Sequence, residues 1–218
     1  MKKTIILLIL IAITSSCNYK IISPFDYDIN DAPYNDLHII DANATEVEIK
    51  YALDRNKEKT GKNIIVIEGY IKTDSKIFQN LKNALKNESK VILDLSKAFM
   101  ENTYNTTLEN ALFLQSVYFG TSQKIVANFF KGCSSLESVV LSSTLETIDD
   151  TSFTGCDKLK KAEYLGTSPN TIKGKPFSSL KNAELYLPNV PTDPKDKSWN
   201  NFLGAAWAKI HYGKSMPK

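Results

Sequence analysis

Two stretches of the chain lie over each other without a gap: Phe130-Lys131-Gly132-Cys133-Ser134-Ser135-Leu136 and Phe153-Thr154-Gly155-Cys156-Asp157-Lys158-Leu159. Both read F-x-G-C-x-x-L, and Phe130 to Phe153, Cys133 to Cys156 and Leu136 to Leu159 each span 23 residues. Equal spacing at several landmarks is what a stacked solenoid needs, because each coil sets its inward side chains over those of its neighbour. A unit this short cannot bury its own apolar face. The spacing therefore predicts a rod or arc that works by its surface, not a closed domain around a deep pocket.

The pattern extends in both directions. Each F-x-G-C-x-x-L leads into a short alternating run, Val139-Val140-Leu141 and then Ala162-Glu163-Tyr164. Alternation puts Val139 and Leu141 inward and Val140 outward. One coil earlier, Val117 precedes Val139 by 22 residues; one coil later, Ala183 follows Ala162 by 21. That last unit, Phe177-Ser178-Ser179-Leu180, lacks the Gly-Cys pair, as does the unit at Leu114. Ile125, Ile148 and Ile172, spaced by 23 and 24 residues, supply the far wall of the core. Strands are expected near Ile65, Leu93, Tyr118, Val140, Glu163 and Leu185, stacked in that order.

At these residues the chain resembles the BspA-like leucine-rich repeats, a bacterial cell-surface family built on F-x-G-C-x-x-L-x-x-V-x-L-P. Leu93-Asp94-Leu95-Ser96 resembles the first strand of related lipoproteins, and Tyr186-Leu187-Pro188 with Trp199 and Phe202 resembles the closing unit of such arrays. The resemblance covers residues 91–188. It implies an α/β leucine-rich-repeat solenoid, parallel strands stacked coil on coil, that binds proteins and carries no enzymatic activity.

The N-terminus reads as an address. Lys2 and Lys3 precede an apolar run from Ile5 to Ile13 and then Thr14-Ser15-Ser16-Cys17, the layout of a secretory signal. The run falls well short of the ~20 apolar residues that cross a bilayer as a helix. Cys17 after small residues resembles the lipobox of bacterial lipoproteins, with Thr14 where Leu is usual. The resemblance implies cleavage after residue 16 and acylation of Cys17, hence a membrane partner through that lipid and a place on the outer surface of a bacterial envelope. An ordinary signal peptide with an incidental Cys is the alternative. Removing Lys2 and Lys3 takes the net charge from +3 to +1, which leaves no basic field to attract nucleic acid.

Residues 17–40, with Pro24 and Pro33 and no sustained period, read as a tether. Residues 41–90 read as an α/β cap. Thr45-Glu46-Val47-Glu48 is a capping box that starts a helix to about Asn56. A strand at Ile64-Ile65-Val66-Ile67 and a second helix, capped by Asp74 or Ser75 with Ile77, Leu81, Ala84 and Leu85 on one face, lead to the strand at Val91. Residues 189–218 read as a C-terminal cap, in which Trp199, Phe202, Leu203, Ala206, Trp207 and Ile210 stand at helical spacing. A helix closing the last coil is the expected form; a ligand-gripping aromatic patch is the alternative.

Catalytic and metal motifs are missing from the sequence. The two histidines, His38 and His211, stand apart, and no H-E-x-x-H, G-x-S-x-G or paired C-x-x-C occurs. Gly213-Lys214-Ser215 has Ala208 where a phosphate-binding loop requires Gly, and only three residues follow. Cys133 and Cys156 occupy one slot of successive coils, about 4.8 Å apart in a stacked sheet. That admits a disulfide or a column of buried thiols; the family resemblance implies a packing position. The reading is no enzyme, no cofactor and no metal.

What remains is the outward face of the strands. Tyr118, Val140, Glu163, Glu184 and Tyr186 are expected to stand exposed there in a column, the candidate surface for a protein or host-matrix partner. An adhesin-like surface module is the first reading. A structural lipoprotein packing against other envelope proteins is the second.

Overall fold

A computed structural model describes residues 37–217. The lipidation candidate Cys17, the leader before it and most of the tether lie outside the described residues. Eight parallel strands form one sheet, and a short second sheet lines the opposite wall of the coils.

The chain enters through an edge strand, β1 (Ile39–Asp41), then α1 (Glu46–Thr60), β2 (Ile64–Ile71), α2 (Ile77–Leu85) and β3 (Val91–Met100). The capping box forms as its residues dictate: the Thr45 hydroxyl accepts from the Glu48 N–H, and the Thr45 N–H donates to Glu48 Oε2 at 2.8 Å. The helix runs one turn past Asn56, to a left-handed Gly61 whose N–H closes on the Lys57 carbonyl. Asn56 turns inward instead of ending the helix. Its side chain bonds both backbone groups of His38 and the Ile64 carbonyl, clamping β1 to the sheet. Along α1, Ile49 and Leu53 are buried while Val47 and Tyr51 face solvent. At α2 neither Asp74 nor Ser75 is the N-cap; Lys76 holds that place, and Ser75 ties the turn to Ala42.

The repeats follow as β4 (Leu114–Tyr118), β5 (Lys124–Ile125), β6 (Ser138–Leu141), β7 (Thr147–Ile148), β8 (Lys161–Tyr164) and β9 (Glu184–Leu187). The strands β2, β3, β4, β6, β8 and β9 stack in sequence order, as the spacing requires. Ile125 pairs with Ile148 in the second sheet. Inward rows run Leu93, Val117, Val139, Ala162, Leu185, all in one core. The last step is 23 residues, Ala162 to Leu185, so Ala183 is not the partner of Ala162. A two-residue shift preserves the face.

The turn chemistry explains F-x-G-C. Gly132 and Gly155 are left-handed, with φ of 72° and 76°. A Cβ on Gly132 would fall 2.1 Å from Asn110 Oδ1, so the coils are too close for a side chain there. One coil earlier the same position, 22 residues back, is Asn110 at φ 59°. Asn is the non-glycine residue best suited to that conformation. The unit without Gly-Cys therefore keeps the turn, with Ala111 accepting the Cys role: its N–H bonds the Leu108 carbonyl as that of Cys133 bonds Phe130. In the final unit Leu180 makes the equivalent bond to Phe177. Cys133 and Cys156 are free, buried thiols whose Sγ atoms donate to the carbonyls of Leu108 and Phe130, one coil back. Burial pushes both thiols up to about 12.

Down the core, Phe130, Phe153 and Phe177 stack with centroids 5.1 and 5.0 Å apart. Phe129 carries the column onto Phe78 of α2, which joins the cap to the repeats. At the other end the closing element is not a helix. Trp199 and Phe202 are buried as cap residues, but only a single 3-10 turn (Phe202–Gly204) forms before the chain extends. Leu203 and Gly204 are both left-handed there (φ 52° and 84°), which ends any helix. The chain then enters β10 (Lys209–Tyr212), which pairs parallel with β9 and covers the edge that β9 would otherwise leave open.

Candidate functional site

Two rows of side chains run across the outer face of the sheet. The first is Ile92, Ser116, Ser138, Lys161, Glu184, Lys209; the second is Asp94, Tyr118, Val140, Glu163, Tyr186, His211. Four of the five expected partner-binding residues, Tyr118, Val140, Glu163 and Tyr186, thus share one row, with Glu184 in the adjacent one. Alternation alone puts them there. Tyr118 and Val140 form an apolar cluster apart from the main core, edged by Ile92 and Leu165.

Their exposure differs from expectation. Tyr118, Val140 and Glu163 retain only 7%, 1% and 3% of their accessible surface, and Tyr186 is buried too. The cover comes from the C-terminal end of the chain. Gly213, left-handed at φ 63°, turns away from β10 with its N–H shared between the carbonyls of Leu187 and Val190. Met216 then packs on the Tyr118–Val140 cluster, and its N–H donates to Glu163 Oε2. Nothing periodic in the sequence announces this contact. The one available signal is a long apolar side chain close to the end of a polar tail.

Burial raises the Glu163 carboxyl to about 7, a shift the Met216 N–H opposes only in part. Burial also raises Asp94, whose carboxylate accepts from the Ser96 N–H at 2.8 Å, and raises Tyr118. At the C-terminal end of the rows the surroundings are wetter. Tyr186 and His211 stack at 4.2 Å and 3°, and both the Tyr186 hydroxyl and His211 Nε2 reach Glu184 Oε2, at 2.7 and 2.9 Å. Those bonds, Tyr186's first, hold Glu184 below its usual range. No spacing connects His211 with this group, because the link runs through the unexpected β10.

Among the described residues no group of three or more His, Cys, Asp or Glu side chains is placed to hold a metal. No helix among them is long and apolar enough to cross a membrane. Near the C-terminal ends of β2 and β3 the exposed Tyr70 and Phe99 rings stack, with the Tyr70 hydroxyl on Glu101.

Residues 101–202 match the family described as BspA type leucine rich repeat region, in six copies. The match starts just after β3, takes in every F-x-G-C unit and ends in the closing turn; it covers somewhat less than half of the chain. No curated protein and no solved structure matches. The stacked parallel strands and this match define a leucine-rich-repeat solenoid of the α/β class, similar to the BspA type. Such arrays commonly serve as protein-binding modules.

Proposed function

We propose that the protein is a non-enzymatic, adhesin-like binding module, held at the outer surface of a bacterial envelope by a lipid on Cys17. The observation that carries the reading is the outer face: six strands present two aligned rows ending in half-buried Lys161, Glu184 and His211 and exposed Lys209 around the buried Tyr186 ring. Mixed charge around a stacked aromatic pair is the composition of a protein contact rim. Host-matrix proteins are the partner class that a surface position would offer. For the anchor, the support is the short apolar leader ending in Ser15-Ser16-Cys17. Several acyl chains on one residue hold a protein to a bilayer durably, at ~0.8 kcal/mol per buried methylene.

The test reverses the accessible charges together, as Lys161→Glu, Glu184→Lys and Lys209→Glu, and measures binding to a panel of purified matrix and envelope proteins by surface plasmon resonance. Loss of binding with an unchanged thermal transition supports the face. Binding confined to envelope proteins, in a chain that protease on intact cells leaves untouched, replaces the adhesin reading with a structural envelope role. Cys17→Ser is expected to yield a soluble or unprocessed product; a variant still cleaved at the same place and still partitioning into detergent refutes the lipid anchor.

A further inference from the structure

The centre of the outer face is already occupied by peptide, and the occupant has a definite chemistry. Residues 214–217 cross it as irregular chain beyond the turn at Gly213. Met216 sits on Tyr118 and Val140 with Ile92 and Leu165 at the edges, and its backbone N–H reaches the buried Glu163 carboxylate. Lys214, Ser215 and Pro217 on either side stay exposed. We propose that this surface is a docking groove for an extended peptide segment of a partner protein, one that presents a long unbranched apolar side chain beside a basic residue, and that the chain's own tail is a built-in competitor for it.

Four observations support the assignment. Among the described residues the tail is held by the half-buried Met216 side chain and its backbone bond to Glu163, beyond a glycine hinge. A tail held this way exchanges with an external segment without disturbing the coils, none of whose core residues it contains. Second, the site asks for features that peptides other than the tail can supply. The Glu163 carboxylate takes a backbone N–H, which every residue but proline has, and the Tyr118–Val140 cluster takes a flexible apolar side chain, the kind that adapts to irregular surfaces. Third, the charge is complementary. Asp94 and Glu163 bracket the cluster within its row, which contains no Lys or Arg, while the tail brings Lys214 beside Met216. Finally, the groove continues into the Glu184–Tyr186–His211 group, so a segment longer than the tail gains contacts that the tail does not make. This inference rests on the protein-binding reading and specifies its ligand.

The probe is a fluorescein-labelled hexapeptide with the sequence of residues 213–218, titrated by anisotropy into the full mature chain and into Met216→Asp, which empties the groove without shortening the chain. The variant is expected to bind the peptide at least tenfold more tightly than the parent. The same peptide with glycine in place of methionine should lose that binding. Met216→Gly serves as a second opened form if the aspartate disturbs folding. Equal affinity for parent and opened forms, no binding to either opened form, or equal binding of the glycine peptide overturns the proposal. So does a parent dimer in sedimentation that Met216→Asp converts to monomer, since the tail would then serve another copy of the chain. If the peptide fails while the Lys161, Glu184 and Lys209 reversal still abolishes partner binding, the tail proposal alone falls. If the parent and the opened forms bind neither peptide nor panel protein, the protein-binding reading falls with it.

Discussion

The inner face of the large sheet and the centre of its outer face are both buried, by different means. Inward, Leu93, Val117, Val139, Ala162 and Leu185 are covered by the loops and second-sheet strands of their own coils. Those segments are pinned from coil to coil by bonds such as Gly132 N–H to the Thr154 carbonyl and Lys160 N–H to that of Glu137. Outward, Tyr118, Val140 and Glu163 are covered by their strand neighbours and by a tail whose Met216 packs on the cluster and bonds Glu163 through its N–H. The difference teaches that alternation assigns a side chain to a side of the sheet and says nothing about what lies on top of it. The inner burial belongs to the fold. The outer burial depends in part on a segment outside the main core.

The inner face should break first and hardest. Leu136 and Leu159 are fully buried at equivalent places of successive coils. Replacing either by alanine leaves a cavity among coils that cannot close independently, and is expected to cost about 2–5 kcal/mol by denaturant unfolding. A loss under about 1 kcal/mol at both positions would mean the coils relax freely, and the contrast between the faces would shrink.

Glu163 gives the next largest effect, and it separates the faces by pH. Its folded value of about 7 lies above the ordinary 4.5, so the folded protein holds this proton more tightly than the unfolded chain. Stability from this group is therefore fully present below about pH 4.5 and is lost as pH rises towards 7, by roughly 3 kcal/mol in total. Asp94 is raised by the same cause and acts with the same sign. Glu184 and Asp149 are lowered, so their contributions fade in the opposite direction, as pH falls. Glu163→Gln keeps an acceptor for Met216 and removes the titration. It should flatten the decline between pH 4.5 and 7 and leave the variant more stable than the parent at neutral pH. Glu163 is expected from alternation to stand exposed, where replacement changes stability little; the buried carboxylate reverses that expectation.

The repeat was legible because its chemistry recurs. Phe, Gly, Cys and Leu each meet the same neighbour in each coil, so one stacked arrangement explains two copies of the motif at once. The unit carrying Asn110 and Ala111 shows how far that legibility extends: the left-handed turn survives without glycine, and the signal weakens to a single tolerant residue. The N-terminal cap was legible from Thr45 and Glu48 because a capping box is local. The closing element was misread because Trp199, Phe202, Ala206 and Ile210 do follow a helical period. The left-handed backbone at Leu203 and Gly204 breaks that period, and the pairing demand of the β9 edge draws the rest into a strand. The binding rows were found in position and missed in environment. Met216 and Glu163 lie 53 residues apart and belong to no repeat, so no spacing connects them.

The smallest change in stability should come with a large change at the site. Met216 is half-buried on a tail outside the main core, so Met216→Gly is expected to cost no more than about 1 kcal/mol. The same substitution strips the apolar cover from the Tyr118–Val140 cluster and lets water reach Glu163. Burial is the larger of the two influences on this carboxyl, and the Met216 N–H, acting the other way, is the smaller. Losing both together should therefore bring Glu163 down from about 7 towards the ordinary carboxylate range, read by a carbon-detected NMR titration of the Glu side chains. Leu136→Ala, by contrast, should lower stability severalfold more while leaving the Glu163 titration in place in the folded protein. A Glu163 that stays near 7 in Met216→Gly would show that the strands alone bury it. The outer face would then be closed by the fold itself, like the inner one, and the two faces would no longer differ in kind.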